Sequence, residues 1–142
     1  EAKLLMKIVR KKKLHLILQV APTTSQKRLK ELAKLSSGFI YLIGLEGVTG
    51  IKLKSLESAL KLVETVRKEI SIPIMVGFGI SKKEHAEAIV VASADGVVVG
   101  SAYARIYSKN LDNPFKKLPE IAKLACEIKL GCIEGYRNRY KT

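Results

Sequence analysis

Short runs of Val, Ile, Leu and Phe alternate along the chain with longer stretches in which apolar residues recur at helical spacing, the pattern of repeated strand–helix units. Strands are predicted over residues 14–20, 39–44, 74–77 and 96–99. Three of these are nearly continuous apolar runs, as parallel strands buried on both faces require. Thr24 and Ser25 can cap a helix whose buried stripe is Leu29, Leu32 and Leu35, and Gly38 ends that unit before the next strand. A helix over 55–70 carries Leu56, Leu60, Val63 and Val66 on one face, and Pro73 forbids its continuation. Ser81-Lys82-Lys83-Glu84 fits a capping box opening a helix that runs through Ala92. Ser101 can cap a short helix to Tyr107, and a final helix over 119–133 gives way to a frayed basic tail over 134–142. Residues 1–10 read as the end of a helix, so the repeat starts in mid-unit.

Four strand–helix units in 142 residues are half of a TIM (β/α)8 barrel, which needs about 250 residues. The α/β fold class is therefore a half-barrel, with residues 1–142 a single partial domain. A small doubly wound sheet is the alternative. Apolar residues make up 47% of the chain, enough for a packed core despite a net charge of +13 from 26 Lys and Arg against 13 Asp and Glu. The basic residues fall in scattered groups, at 10–13, 27–34, 52 and 54, 116–117 and 137–141. None is interleaved with aromatics, so solvated helix faces are favoured over a nucleic-acid surface. No apolar run approaches the roughly 18 residues of a membrane span, and the first ten residues lack a signal-peptide core. The expectation is a cytoplasmic protein with neither a membrane nor a nucleic-acid partner. Cys126 and Cys132 lie six apart, a spacing suited to neither zinc nor redox chemistry, and read as reduced thiols.

The chemistry collects just after the strands. Gly47-Val48-Thr49-Gly50 follows the second, Gly77-Phe78-Gly79-Ile80-Ser81 the third and Gly100-Ser101-Ala102 the fourth. In parallel α/β proteins functional groups gather at these carboxyl ends. Glycines there let backbone N–H groups approach an anion, and a phosphate ester is the natural ligand. One such segment alone is most simply a turn; three at equivalent strand ends favour a site. Carboxylates for acid–base work are scarce at that end, where Glu46 is the one candidate. Asp95 precedes the fourth strand and belongs to the opposite, stability-determining end. His15 and His85 read as structural or solvated. Tyr41, inside a strand, is the polar side chain best placed to face a barrel interior.

Ala21-Pro22-Thr23-Thr24, Arg28-Leu29, Ser37-Gly38-Phe39-Ile40-Tyr41-Leu42, Gly47-Val48-Thr49-Gly50, Val76-Gly77-Phe78-Gly79-Ile80-Ser81 and the run from Ala94 to Ala102 resemble, in order and spacing, the tryptophan synthase alpha chain, over residues 14–108. The resemblance implies a (βα)8 barrel that cleaves indole-3-glycerol phosphate to indole and glyceraldehyde 3-phosphate, in tryptophan biosynthesis. It implies a beta-chain partner that carries pyridoxal phosphate, and no cofactor or metal on this chain. Carried over by motif, Gly50, Gly79, Gly100 and Ser101 would bind the substrate phosphate, Phe78 and Tyr41 would line the indole pocket, and Thr49 would support a catalytic aspartate. The match is to strands five to eight alone. The family's catalytic carboxylates come from the strand-two region and the loop after it, so none is expected in this chain. The expectation is an inactive isolated chain that needs the missing N-terminal half-barrel or self-association. A non-catalytic phosphate-ester-binding module is the alternative. Arg10-Lys11-Lys12-Lys13 departs from the family, which usually carries a helix-ending Gly there.

Overall fold

A computed structural model describes residues 2–44 and 52–140. Six α-helices and four strands occur among these residues: α1 (Ala2–Lys11), β1 (Leu18–Val20), α2 (Gln26–Leu35), β2 (Ile40–Leu42), α3 (Lys52–Glu69), β3 (Ile74–Val76), α4 (Lys83–Val91), β4 (Gly96–Val97), α5 (Ser101–Tyr107) and α6 (Leu118–Asn138). Two 3₁₀ turns, Ser108–Asn110 and Pro114–Lys117, join α5 to α6. The strands form one sheet in the order β1-β2-β3-β4, every pair parallel. That monotonic order decides the architecture. A doubly wound sheet reverses its strand order at a switch point, whereas successive right-handed crossovers in one direction keep every helix on one face and build a barrel wall. Four such units are a half-barrel.

Alternation along the strands follows from this one-sided cover. Ile40, Leu42, Ile74 and Val76 are fully buried against the helices with Val20, Leu29, Leu32, Val63, Val66 and Ile89. On the opposite face Gln19, Tyr41, Met75 and Gly96 stand in register as one row. The buried layer contains no charged or polar side chain among the described residues. Nor is any of their helices long and apolar enough to cross a membrane.

The first predicted strand is shorter than its apolar run. Residues 14–17 are not in the ladder, because the Leu16 N–H donates to Ser37 Oγ at 2.9 Å and the Leu18 N–H to Ser36 Oγ at 3.3 Å. Side-chain hydroxyls satisfy that backbone in place of a neighbouring strand. Ser25 caps α2 as expected, its side chain accepting from the Arg28 N–H. The capping box at Ser81 does not form. Lys82 is the N-cap of α4 and makes no side-chain cap bond, since an ammonium offers no acceptor, and the Ser81 N–H is engaged by His85. Gly100, not Ser101, is the N-cap of α5.

Helix ends explain two features of the sequence. Lys13, standing where the family's glycine was expected, takes φ 55°. The Lys13 N–H bonds the Arg10 carbonyl at 3.0 Å and the Leu14 N–H the Val9 carbonyl at 3.0 Å, a Schellman closure of α1 made without glycine. Ser93, at φ 83°, closes α4 in the same manner through Ser93 N–H to Val90 O and Ala94 N–H to Ile89 O.

The expected frayed tail from residue 134 is a correction: α6 continues to Asn138 and is docked along α4. Gly131 and Gly135 are buried where the two helices cross, and a Cβ on Gly135 would stand 2.6 Å from the Glu87 carbonyl oxygen. Lys83–Glu134 at 2.7 Å and Asn138–Glu87 at 3.0 Å flank the crossing. Arg139 donates to the carbonyls of Val90 and Ala94, so the basic segment closes the end of α4. The apolar stripe alone places the helix; the backbone approach allowed by two glycines four apart extends it.

Candidate functional site

Parallel pairing brings the carboxyl ends of β1 to β4 to one side of the sheet. Val76 pairs with Val97, and Gly79 and Gly100 each follow three residues later, so the two glycine turns leave adjacent strands at the same level. The ladder persists just past the strands, with Gly77 N–H to Leu42 O at 2.9 Å and Val98 N–H to Val76 O at 2.8 Å. Gly79 takes φ 78°, a conformation an L side chain resists, and Ile80 beside it is buried in the core and pins the turn. Ala102 is buried in the same way and anchors the first turn of α5, while Ser101 is exposed. A Cβ on Gly100 would meet nothing within 4 Å. The N–H groups of Gly79, Gly100 and Ser101 have no acceptor among the described residues. The geometry therefore offers backbone donors and open space at the ends of two neighbouring strands, the chemistry of an anion site.

Tyr41 lies in the centre of β2, half-buried, on the face turned away from the helices. Its hydroxyl abuts Gly77, which has no room for a Cβ. Phe78 is half-buried and packs on Gly44, where a Cβ would stand 2.9 Å from the ring. Tyr41 and Phe78 thus flank the base of the Gly77–Ser81 segment. Thr49 and Gly50, together with Glu46, lie outside the described residues.

His85 was read from sequence as structural or solvated, yet it reaches the turn itself. The Ser81 N–H donates to His85 Nδ1 at 3.3 Å. Burial and the Lys82 ammonium hold the imidazole below its ordinary pKa of 6.5, against the Gly79 backbone and Glu84, which favour the charged ring. The readable signal was its position four residues after Ser81 on a helix beginning between them. Glu84 is an exposed carboxylate paired with Lys82 at 3.5 Å.

Asp95 is at the opposite end, as expected. Its carboxylate accepts from the Ile74 N–H at 2.8 Å and from Arg67, which also donates to the Ser93 and Ile72 carbonyls. A cleft of about 340 Å³ lined by Lys30, Lys34, Glu69 and Ile70 opens near that end, ahead of β3, and contains none of the site residues. Both cysteines are free thiols, with burial raising the pKa of Cys132. No group of three His, Cys, Asp or Glu among the described residues is arranged to hold a metal ion.

Comparison with known proteins bears on the family and the fold. The sequence model of the family described as "Tryptophan synthase alpha chain" matches residues 1–132. The tryptophan synthase alpha chain of Methanopyrus kandleri is 38% identical over 134 residues, 93% of this chain and 48% of that protein. The tryptophan synthase A-subunit of the hyperthermophile Pyrococcus furiosus superimposes with a TM-score of 0.72 at 32% identity, covering 84% of this chain and 47% of the other. A chain of the tryptophan synthase complex from Pyrococcus furiosus gives a TM-score of 0.73 at 29% identity, over 89% of this chain and 48% of that one. The chain spans about half the length of the relatives it matches. With the family model matching residues 1–132 and a relative 38% identical over 93% of this chain, the chain belongs to the tryptophan synthase alpha chain family.

Proposed function

We propose that this chain supplies the phosphate-binding half of a barrel that cleaves indole-3-glycerol phosphate to indole and glyceraldehyde 3-phosphate. The observation that carries the reading is the pair of turns at Gly79 and Gly100, level on adjacent strands, with backbone donors that have no acceptor among the described residues. Gly79, Gly100 and Ser101 hold the phosphate through their N–H groups, joined by Gly50 from the preceding loop. Charge on such a ligand is met by fixed backbone dipoles, which need no reorganisation when it binds. Phe78 packs on the indole ring and Tyr41 lies beside the reacting end, with Thr49 supporting a catalytic aspartate from outside this segment. General acid–base carboxylates come from a complementary half-barrel, so this polypeptide alone releases no indole. Pyridoxal phosphate belongs to a beta-chain partner that consumes the indole, and this chain takes neither cofactor nor metal.

Titrating glycerol 3-phosphate while following the melting temperature tests the binding half of the reading. Ligand at 100 times its Kd should stabilise the chain by about 2.7 kcal/mol. No change in melting temperature at millimolar ligand refutes it. Indole formation from indole-3-glycerol phosphate by the pure chain overturns the assignment of acid–base chemistry to a complementary half. Exposed Leu4, Leu5, Ile8, Leu14 and Ile17 along α1 and the approach to β1 support association at that edge. A concentration-independent monomer in sedimentation argues against it.

A further inference from the structure

We infer that His85 is a positioning residue for the anion site, holding the Gly79–Ser81 turn in the shape that presents its backbone donors. The inference rests on the phosphate-binding reading above. The turn has three fixed points. Ile80 is sunk in the core, Gly77 is locked to the Leu42 carbonyl at 2.9 Å, and the far limb at Ser81 is held by His85 Nδ1. Of these, the histidine bond is the one that a side chain makes from the helix behind the turn. Without it the Ser81 N–H has no partner among the described residues, and the limb after Gly79, already at φ 78°, is free to relax. The Ser81 hydroxyl stands 3.5 Å from the same nitrogen. A ring that accepts at Nδ1 must be neutral there. Burial and Lys82, which disfavour the charged ring, keep it so, while Glu84 and the Gly79 backbone oppose them. The other charged groups of α4 are occupied elsewhere, Lys83 with Glu134 and Glu87 with Asn138, and Arg67 of α3 is engaged by Asp95. Protonation of His85, which its surroundings hold to a pH below the ordinary imidazole range, sets an N–H against the Ser81 N–H and releases the turn.

The test compares wild type, His85→Ala and His85→Asn in the 142-residue chain, with glycerol 3-phosphate as probe. The Asn amide oxygen occupies the place of Nδ1 and keeps the acceptor without titrating. His85→Ala should weaken the Kd about tenfold, and His85→Asn should stay within about twofold of wild type at pH 8. The ratio of wild-type to His85→Asn affinity cancels the titration of the ligand itself. It should be level above pH 7 and fall at lower pH as His85 takes up its proton. Hydrogen exchange of the Ser81 amide without ligand should quicken in His85→Ala alone. Equal affinities for wild type and His85→Ala, or a ratio flat from pH 8 down to the onset of acid unfolding, overturn the inference. If wild type binds no glycerol phosphate, the site reading itself has failed; unchanged Ser81 exchange in His85→Ala then separately overturns the role of His85. Should His85→Ala fail to fold, the wild-type to His85→Asn ratio decides.

Discussion

Replacing Gly135 by Ala perturbs one contact and has two opposed consequences whose sizes differ. In an unpacked helix the change is favourable by about 1 kcal/mol, because Ala is the better helix former. At Gly135 the new Cβ lies 2.6 Å from the Glu87 carbonyl oxygen, 3.0 Å from Val90 Cβ and 3.2 Å from Glu87 Cα. The nearest atom is backbone in the middle of α4, so no side-chain rotation relieves the overlap. Ordinary contact begins at 3.4 Å, so α6 must withdraw by about 0.8 Å. That movement strains Lys83–Glu134, Asn138–Glu87 and the Arg139 bonds to Val90, which share the crossing. Overpacking of this kind costs about 1–3 kcal/mol, and weakened charge-assisted bonds add about 1 more. The expected net loss is about 2 kcal/mol, a fall in melting temperature of about 6 °C for a chain of this length. Thermal and urea unfolding followed by far-ultraviolet circular dichroism measure it. Ala125→Gly, at an exposed position of the same helix, calibrates propensity alone at about 1 kcal/mol. A Gly135→Ala chain that melts at or above wild type refutes the close crossing of α4 and α6.

Lys13→Gly should stabilise the chain by about 1 kcal/mol, because the Schellman closure of α1 holds Lys13 at φ 55° and glycine adopts that conformation without a Cβ penalty; urea unfolding midpoints read the change. Asp95→Ala leaves the Ile74 N–H without its acceptor and Arg67 without its carboxylate partner, so it should cost about 2 kcal/mol in the same assay and weaken glycerol 3-phosphate binding through the lost tie between β3 and β4. The Glu69 carboxyl is held below 4.5 by its bonds from Lys30 and Gln26. A folded-state pKa below the unfolded value adds stability above pH 4.5 that is lost as pH falls through the folded pKa. Glu69→Gln should therefore melt below wild type at pH 7, and the gap should narrow as pH falls below 4.5.

Strand–helix alternation was legible because each unit buries one face, which imposes periods of 2 and 3.6 on residues such as Ile40 and Leu42 or Val63 and Val66. What periodicity cannot encode is a backbone satisfied by a side chain from elsewhere in the fold. The apolar run at 14–17 looks like strand, yet Ser36 and Ser37, some twenty residues on, hold its backbone. Residues 134–138 look polar and loose because the helix there is held by what glycine omits and by Arg139 reaching backbone carbonyls. Both features depend on tertiary contacts whose partners lie more than fifteen residues away. Lys13 and Ser93 show the converse: the left-handed helix end is demanded by the chain reversal into the next strand, and the residue tolerates it.

The site divides along the same line. Glycines after strands are visible in the sequence, but their value lies in register, which the sequence states only through the whole pattern of Ile40 against Ile74 and Val76 against Val97. Shifting β4 by two residues relative to β3 keeps every apolar side chain on its face yet moves Gly100 about 7 Å from the level of Gly79. Two turns that now stand level on adjacent strands would become two separate turns. The scaffold most able to prevent that slip is at the far end of the sheet, where Asp95 ties the start of β4 to the Ile74 N–H and to Arg67. A carboxylate remote from the ligand thus fixes the level at which the backbone donors stand, and the +13 charge has no part in forming them. The proposed phosphate site, made of backbone amides, depends on register at one end and on the turn held by His85 at the other, so on that reading its affinity is set by how rigidly the backbone is held.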